Sequence, residues 1–255
     1  VQLHKAVKQG CPLAPLLFAI VLDELHEGYR KIPNAGYTLP NKTTVFSRGY
    51  CDDTCILAQD LHTLRLMNDY TAKFMRQHNL NLSHQKTIVM GRDTNGAALK
   101  DPLTWSTTGA TLTLQPPGTS VRYLGAHINM EDNWNTQIAK MNGTIMSLVA
   151  CIRHRRLTIA QIGLALREVV LSKLDTGFRH ALIPPIKLAQ WDNIISTAIT
   201  QRADLRAASL HPSAVWTTLG ILSPTNAYAL TKYTHTLDLL TKHSELQSYY
   251  QTTHN

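Results

Sequence analysis

Gly49-Tyr50-Cys51-Asp52-Asp53, set between residues 43–48 (Thr-Thr-Val-Phe-Ser-Arg) and 54–58 (Thr-Cys-Ile-Leu-Ala), is the stretch on which the fold turns. Both flanks are rich in β-branched and aromatic residues, and two such runs around a compact polar tip predict a β-hairpin. Adjacent carboxylates repel unless a cation lies between them. Exposed turns use Asp freely, so the pair alone reads as a plain hydrophilic turn. What surrounds it decides between the two.

Upstream, Leu17, Ile20, Val21, Leu25 and Tyr29 recur at helical spacing after Gly10 and Pro12, which predicts a buried helix ended by Pro33, Asn34 and Gly36. Downstream, Leu61, Leu64, Met67, Phe74 and Met75 predict a second helix closing near His78 and Asn79. Residues 86–90 suggest a strand, 103–106 with 111–114 a second hairpin, and 121–128 another strand. After Glu131 the texture changes, with helical periodicity over 134–152, 159–178, 186–205 and 225–240. The chain therefore divides near residue 130 into an α+β half and an all-helical half.

Composition narrows the class. The 255 residues are 44% hydrophobic, enough for one large core or two smaller ones. A formal charge of +8 with a pI near 9.4 points toward an anionic partner, nucleic acid first among them. Cys11, Cys51, Cys55 and Cys151 form no C-x-x-C pair, which fits a reducing, intracellular compartment, cytoplasmic or nuclear. Cys51 and Cys55 lack the other half of a zinc site, which needs four converging ligands. The longest apolar run, 12–22, is too short to span a membrane. No membrane partner is expected.

Four motifs stand in order. Lys8-Gln9-Gly10-Cys11-Pro12-Leu13-Ala14-Pro15 comes about forty residues before Tyr50-Cys51-Asp52-Asp53. Asn81-Leu82-Ser83-His84-Gln85-Lys86-Thr87 and Arg122-Tyr123-Leu124-Gly125 follow. This series resembles the reverse transcriptases, and most closely those of non-LTR retrotransposons. Ser83 stands where that family usually has Asn. The resemblance implies an α+β fold: a partial right-hand polymerase palm, an antiparallel sheet with helices, over residues 1–130. An all-helical thumb and connection would follow over 131–255.

The resemblance also implies roles. Asp52 and Asp53 would be catalytic metal ligands for Mg²⁺ (Mn²⁺ as a substitute), a hard ion suited to carboxylates on a rigid hairpin. Lys86 would sit near the leaving phosphates, where an ammonium neutralises charge or donates a proton. Gln9, Gly10, Tyr50 and Cys51 would contact the nucleotide and the primer end, with Gly10 letting backbone approach closely. Tyr123, Leu124 and Gly125 would support the primer. Arg153, Arg155 and Arg156, between two predicted helices, would neutralise phosphates of the duplex, with Lys173, Arg179, Lys187, Arg202 and Arg206 behind them. Taken singly, each of these segments also reads as ordinary surface: a helix start, a solvated lysine, an edge strand, an inter-helix loop.

The implied activity is RNA-directed DNA polymerisation, with an RNA template, a DNA primer and deoxynucleoside triphosphates as partners. The family's palm carries a further catalytic Asp on a strand before the Gln-Gly motif, and no such residue precedes Gln9 here. Asp23, inside a predicted helix, is no substitute. The chain reads as a piece of a polyprotein, with the fingers and the first palm segment elsewhere, and inert alone. The other possibility is a non-catalytic nucleic-acid-binding remnant of a retroelement.

Overall fold

In a computed structural model of the protein, residues 12–93, 95–203 and 211–242 are described. They fall into two compact units, dividing at Thr119/Ser120.

The first unit is built on two helices, α1 (Ala14–Arg30) and α2 (Leu61–Gln77). Asp60 caps α2: its carboxylate accepts from the Thr63 backbone N–H and hydroxyl, both at 2.8 Å. These bonds, the backbone one foremost, hold the Asp60 carboxyl below the usual aspartate range. At the other end Leu80 N–H bonds to Met75 O and Asn79 N–H to Arg76 O, a Schellman ending with Asn79 at φ 54°. Leu22, Leu25 and Tyr29 of α1 pack on Met67, Phe74 and Met75 of α2. The helices cross closely because Gly28 lacks a Cβ, which would overlap the ring of Tyr70. Tyr29 donates its hydroxyl proton to Thr71 Oγ1 (2.7 Å), which itself donates to Met67 O. Burial raises the Tyr29 phenol to about 12.

Leu17 and Ile20 were expected inside, yet they are 55% and 60% exposed, as are Leu13 and Leu16 on the same face. The buried face of α1 is the one turned to α2, through Leu22, Leu25, Gly28 and Tyr29. Apolar spacing marked both faces; only one meets a neighbour among the described residues of this unit.

Among the described residues the strands form four separate two-stranded ladders in place of one antiparallel sheet. β1 (Tyr37–Thr38) pairs with β2 (Thr44–Val45), and β3 (Ser47–Tyr50) with β4 (Asp53–Ile56), both antiparallel. β5 (Ile88–Met90) runs parallel to β6 (Thr113–Gln115). The expected second hairpin survives as a turn with a Thr104–Thr111 bridge, because residues 113–115 pair with β5 instead. Ala72, Val89, Leu103, Trp105 and Leu112 bury this edge against α2. Asn68 of α2 clamps it, accepting from Trp105 Nε1 (2.7 Å) and donating to Thr104 O (3.1 Å).

The second unit opens with β7 (Val121–Tyr123) and β8 (Ala126–Ile128), a hairpin where one continuous strand was expected. Leu124 at φ 46° and Gly125 at φ 85° make the tight two-residue turn. Gln137 of α3 (Asn135–His154) holds β8 by accepting from His127 N–H at 3.0 Å. A long helical run follows: α4 (Ile159–Leu164), a π-helical segment (Ala165–Leu171) and α5 (Ser172–His180). Its buried residues Ile162, Leu166, Val170, Leu174 and Phe178 recur every four positions. On a pure α-helix such a row would drift by about 40° per step. The π segment takes more residues per revolution and turns the row back onto one core. α8 (Pro224–Lys242) packs on α5, and α6 (Pro185–Arg202) packs on α3, α8 and the short α7 (Pro212–Leu219), which the periodicity did not reveal. Gly177 permits the close crossing with α3, since a Cβ there would strike Met141.

Candidate active site

The β3–β4 hairpin presents Tyr50, Cys51, Asp52 and Asp53 at its tip, all exposed. Tyr50 pairs with Asp53, so Cys51 and Asp52 are the two loop residues. Cys51 sits at φ 51°, a conformation that costs a residue with a Cβ and is usually left to glycine. Stored strain of this kind clusters at functional sites.

α1 fixes the base of the hairpin. His26 Nδ1 and Ser47 Oγ share a hydrogen bond of 2.5 Å. Gly49 allows the strand to pass His26, whose Nε2 would lie 2.9 Å from an added Cβ. Burial lowers the His26 pKa, with Arg48 adding to the effect and Asp23 opposing it. The imidazole is thereby favoured neutral against the strand. Cys55, on β4, has its thiol pushed up by burial, which disfavours the thiolate.

The carboxylate of neither Asp52 nor Asp53 is engaged by an ion pair or hydrogen bond with the described residues. Unengaged carboxylate oxygens on a fixed hairpin suit a hard divalent cation, and Mg²⁺ commonly takes one or two protein carboxylates and keeps several waters. Among the described residues no group of three or more His, Cys, Asp or Glu side chains could hold a metal ion. The hairpin fits a share of a metal site.

Lys86 lies in the turn before β5, where Lys86 and Thr87 N–H both bond to Ser83 O. Its side chain is exposed. Gln9 and Gly10 lie outside the described residues. Tyr123, Leu124 and Gly125 form the β7–β8 turn of the second unit. Arg153, Arg155 and Arg156 are exposed where α3 gives way to α4, in that same unit. Arg202 joins their loop from α6 by donating to Leu157 O at 3.3 Å. Of the other cations, Arg179 is paired with Asp175 at 2.7 Å and Lys187 lies over Trp191, while Arg206 is outside the described residues.

The ordered motifs thus sit on a hairpin tip, a pre-strand turn and a second hairpin turn. Residues 2–128 match the reverse transcriptase (RNA-dependent DNA polymerase) family. The match ends on Ile128, the last residue of β8, so the matched stretch takes in the Asp52-Asp53 hairpin, Lys86 and the Tyr123-Leu124-Gly125 turn. The helices from α3 onward lie beyond it. No curated protein matches the chain. A reverse transcriptase domain handles a nucleic-acid template and nucleotide substrates, and the family uses divalent metals. Among the described residues no helix is long and apolar enough to cross a membrane.

Proposed function

We propose that the chain serves RNA-directed DNA polymerisation in a retroelement of the non-LTR type, with the β3–β4 hairpin as its contribution to the metal site. The carrying observation is the pair Asp52 and Asp53, exposed and unengaged on a hairpin braced by His26 and Gly49, inside a reverse transcriptase domain. Asp52 and Asp53 would hold Mg²⁺, which supplies activation of the primer 3′ hydroxyl and charge neutralisation at the leaving pyrophosphate. A further carboxylate must come from outside the described residues.

The remaining roles belong to this chain's side chains. Tyr50 and Cys51 flank the carboxylates at the primer end, and the strained Cys51 backbone fixes where Asp52 stands. Lys86 offers a positive charge for the departing phosphates. The Tyr123-Leu124-Gly125 turn supports the primer strand, and helices α3 to α8 act as the thumb and connection. Arg153, Arg155 and Arg156 neutralise duplex phosphates without reading sequence.

Primer extension on an RNA template, with Mg²⁺ and four deoxynucleoside triphosphates, tests this in the natural polypeptide that contains the chain. Removing both carboxylates (Asp52→Ala with Asp53→Ala) should lower extension by roughly a thousandfold or more. Undiminished extension would overturn the assignment. Absence of extension from the unsubstituted polypeptide would favour a non-catalytic nucleic-acid-binding role.

A further inference from the structure

The first unit contains a cleft of about 690 Å³ that the hairpin chemistry does not use. It lies between the end of α2, the segment that leaves it, and the clamped 103–112 turn. Ala72, Met75, Leu82 and Trp105 form an apolar floor. Trp105 is 3% exposed and its indole N–H is already satisfied by Asn68, so it acts as rigid hydrocarbon wall. The rim is polar: Arg76, Asn79, Asn81, His84, Thr107 and Thr108. No acidic residue lines it.

The rim is held in place by backbone. The Schellman ending at Asn79 turns the chain sharply, and Arg76 before it and Asn81 and His84 after it all line the cleft. Opposite, Gly109 N–H (2.7 Å) and Thr108 N–H (3.2 Å) bond to Trp105 O and close the facing turn. The side chains of Arg76, Asn79, Asn81 and His84 make no hydrogen bond or ion pair with the described residues. Two amides, an imidazole and a guanidinium therefore converge, unused, over an apolar floor.

We propose that this cleft binds one unpaired nucleotide, its base on the apolar floor and its phosphate on Arg76 and His84. The volume falls within the range of small-ligand clefts. An amide presents a donor and an acceptor side by side, the pattern that pairs with a base edge. A guanidinium is the favoured partner for phosphate oxygens. A rim that carries the Arg76 guanidinium and no carboxylate disfavours a basic peptide and matches a phosphodiester. The proposal rests on the polymerase assignment for its source of ligand, an unpaired base of a template or product strand, and needs no metal.

The test is titration of uridine 5′-monophosphate into the ¹⁵N-labelled chain, followed by amide and indole NMR shifts. Saturable shifts at Asn79, Asn81, His84 and the Trp105 indole are expected, with a Kd on the order of 1 mM. Uridine without its phosphate, and the Arg76→Ala/His84→Ala variant, should each bind roughly tenfold more weakly. Asp52→Ala with Asp53→Ala should leave the Kd unchanged, which separates this cleft from the polymerase site. Absence of saturation by about 10 mM would overturn the proposal, as would equal binding by Arg76→Ala/His84→Ala or displacement by an acidic peptide that outcompetes the nucleotide. Because this readout needs no turnover, it fails or holds independently of primer extension.

Discussion

Cys51 carries the strain of the hairpin tip on a side chain small enough to tolerate it. A β-branched residue at φ 51° meets the same backbone with more bulk. Cys51→Val should therefore lower stability by about 1–2 kcal/mol. The thermal midpoint should drop by several degrees, while Cys51→Gly should leave it near the original. An unchanged midpoint for Val would mean that the tip is not held in the left-handed region. At this scale the sequence was most informative. Two β-prone runs around residues 49–53 located the hairpin, but its strands reach in to Tyr50 and Asp53 and leave only Cys51 and Asp52 as the loop. It could not show the brace beneath. His26 meets Ser47 across twenty-one positions, and Gly49 matters only because His26 lies against it. Only the packing of α1 reveals that pair.

Helices α1, α2 and α3 match their sequence spacing to within about two residues, since strong 3.6-residue periodicity locates them. Asp60 fixes the start of α2. Replacing it with Ala removes two hydrogen bonds to Thr63, and stability should fall by about 1 kcal/mol in denaturant unfolding with the slope unchanged. A loss below the error of that measurement would contradict the capping role. Sheet pairing was less legible. Residues 111–114 alternate as a hairpin strand should, yet 113–115 found β5 as a partner, and no local pattern distinguishes the two. α7 was missed because eight residues between Pro212 and Gly220 hold too few turns to show a period.

The contact between α5 and α8 adds a dependence on pH. His180 and His235 meet edge to face, 5.4 Å between ring centroids. Burial lowers both pKa values, and Lys232 and Arg179 reinforce this against Asp175 and Asp238. A histidine with its folded pKa below 6.5 takes up its proton first in the unfolded chain. Stability should therefore be insensitive to the pair above that pH and should fall as pH drops below it. His180→Gln with His235→Gln should flatten that fall in unfolding curves between about pH 7 and 5. An identical pH profile in the variant would show that the pair is not responsible.

At the scale of the whole molecule, the chain forms two compact units that divide at Thr119/Ser120, and the β7–β8 hairpin is tied to α3 through Gln137. Strand propensity predicted the hairpin's residues but not the helix that would claim them. The charge of +8 likewise becomes meaningful only where it is concentrated. Arg153, Arg155 and Arg156, joined by Arg202, make one exposed basic corner. Changing the first three to Ala should weaken primer–template binding and reduce the slope of log affinity against log salt by about 2–3. An unchanged slope would place the duplex elsewhere.

On this assignment Asp52 and Asp53 serve catalysis and contribute little to folding. It is tested by primer extension on RNA with Asp52→Asn, which keeps the shape of the side chain and removes its charge. Extension by the polypeptide that carries this chain should fall at least a hundredfold or so while its thermal midpoint stays within about 1 °C of the original. Extension at the original rate, at any Mg²⁺ concentration, would contradict the account.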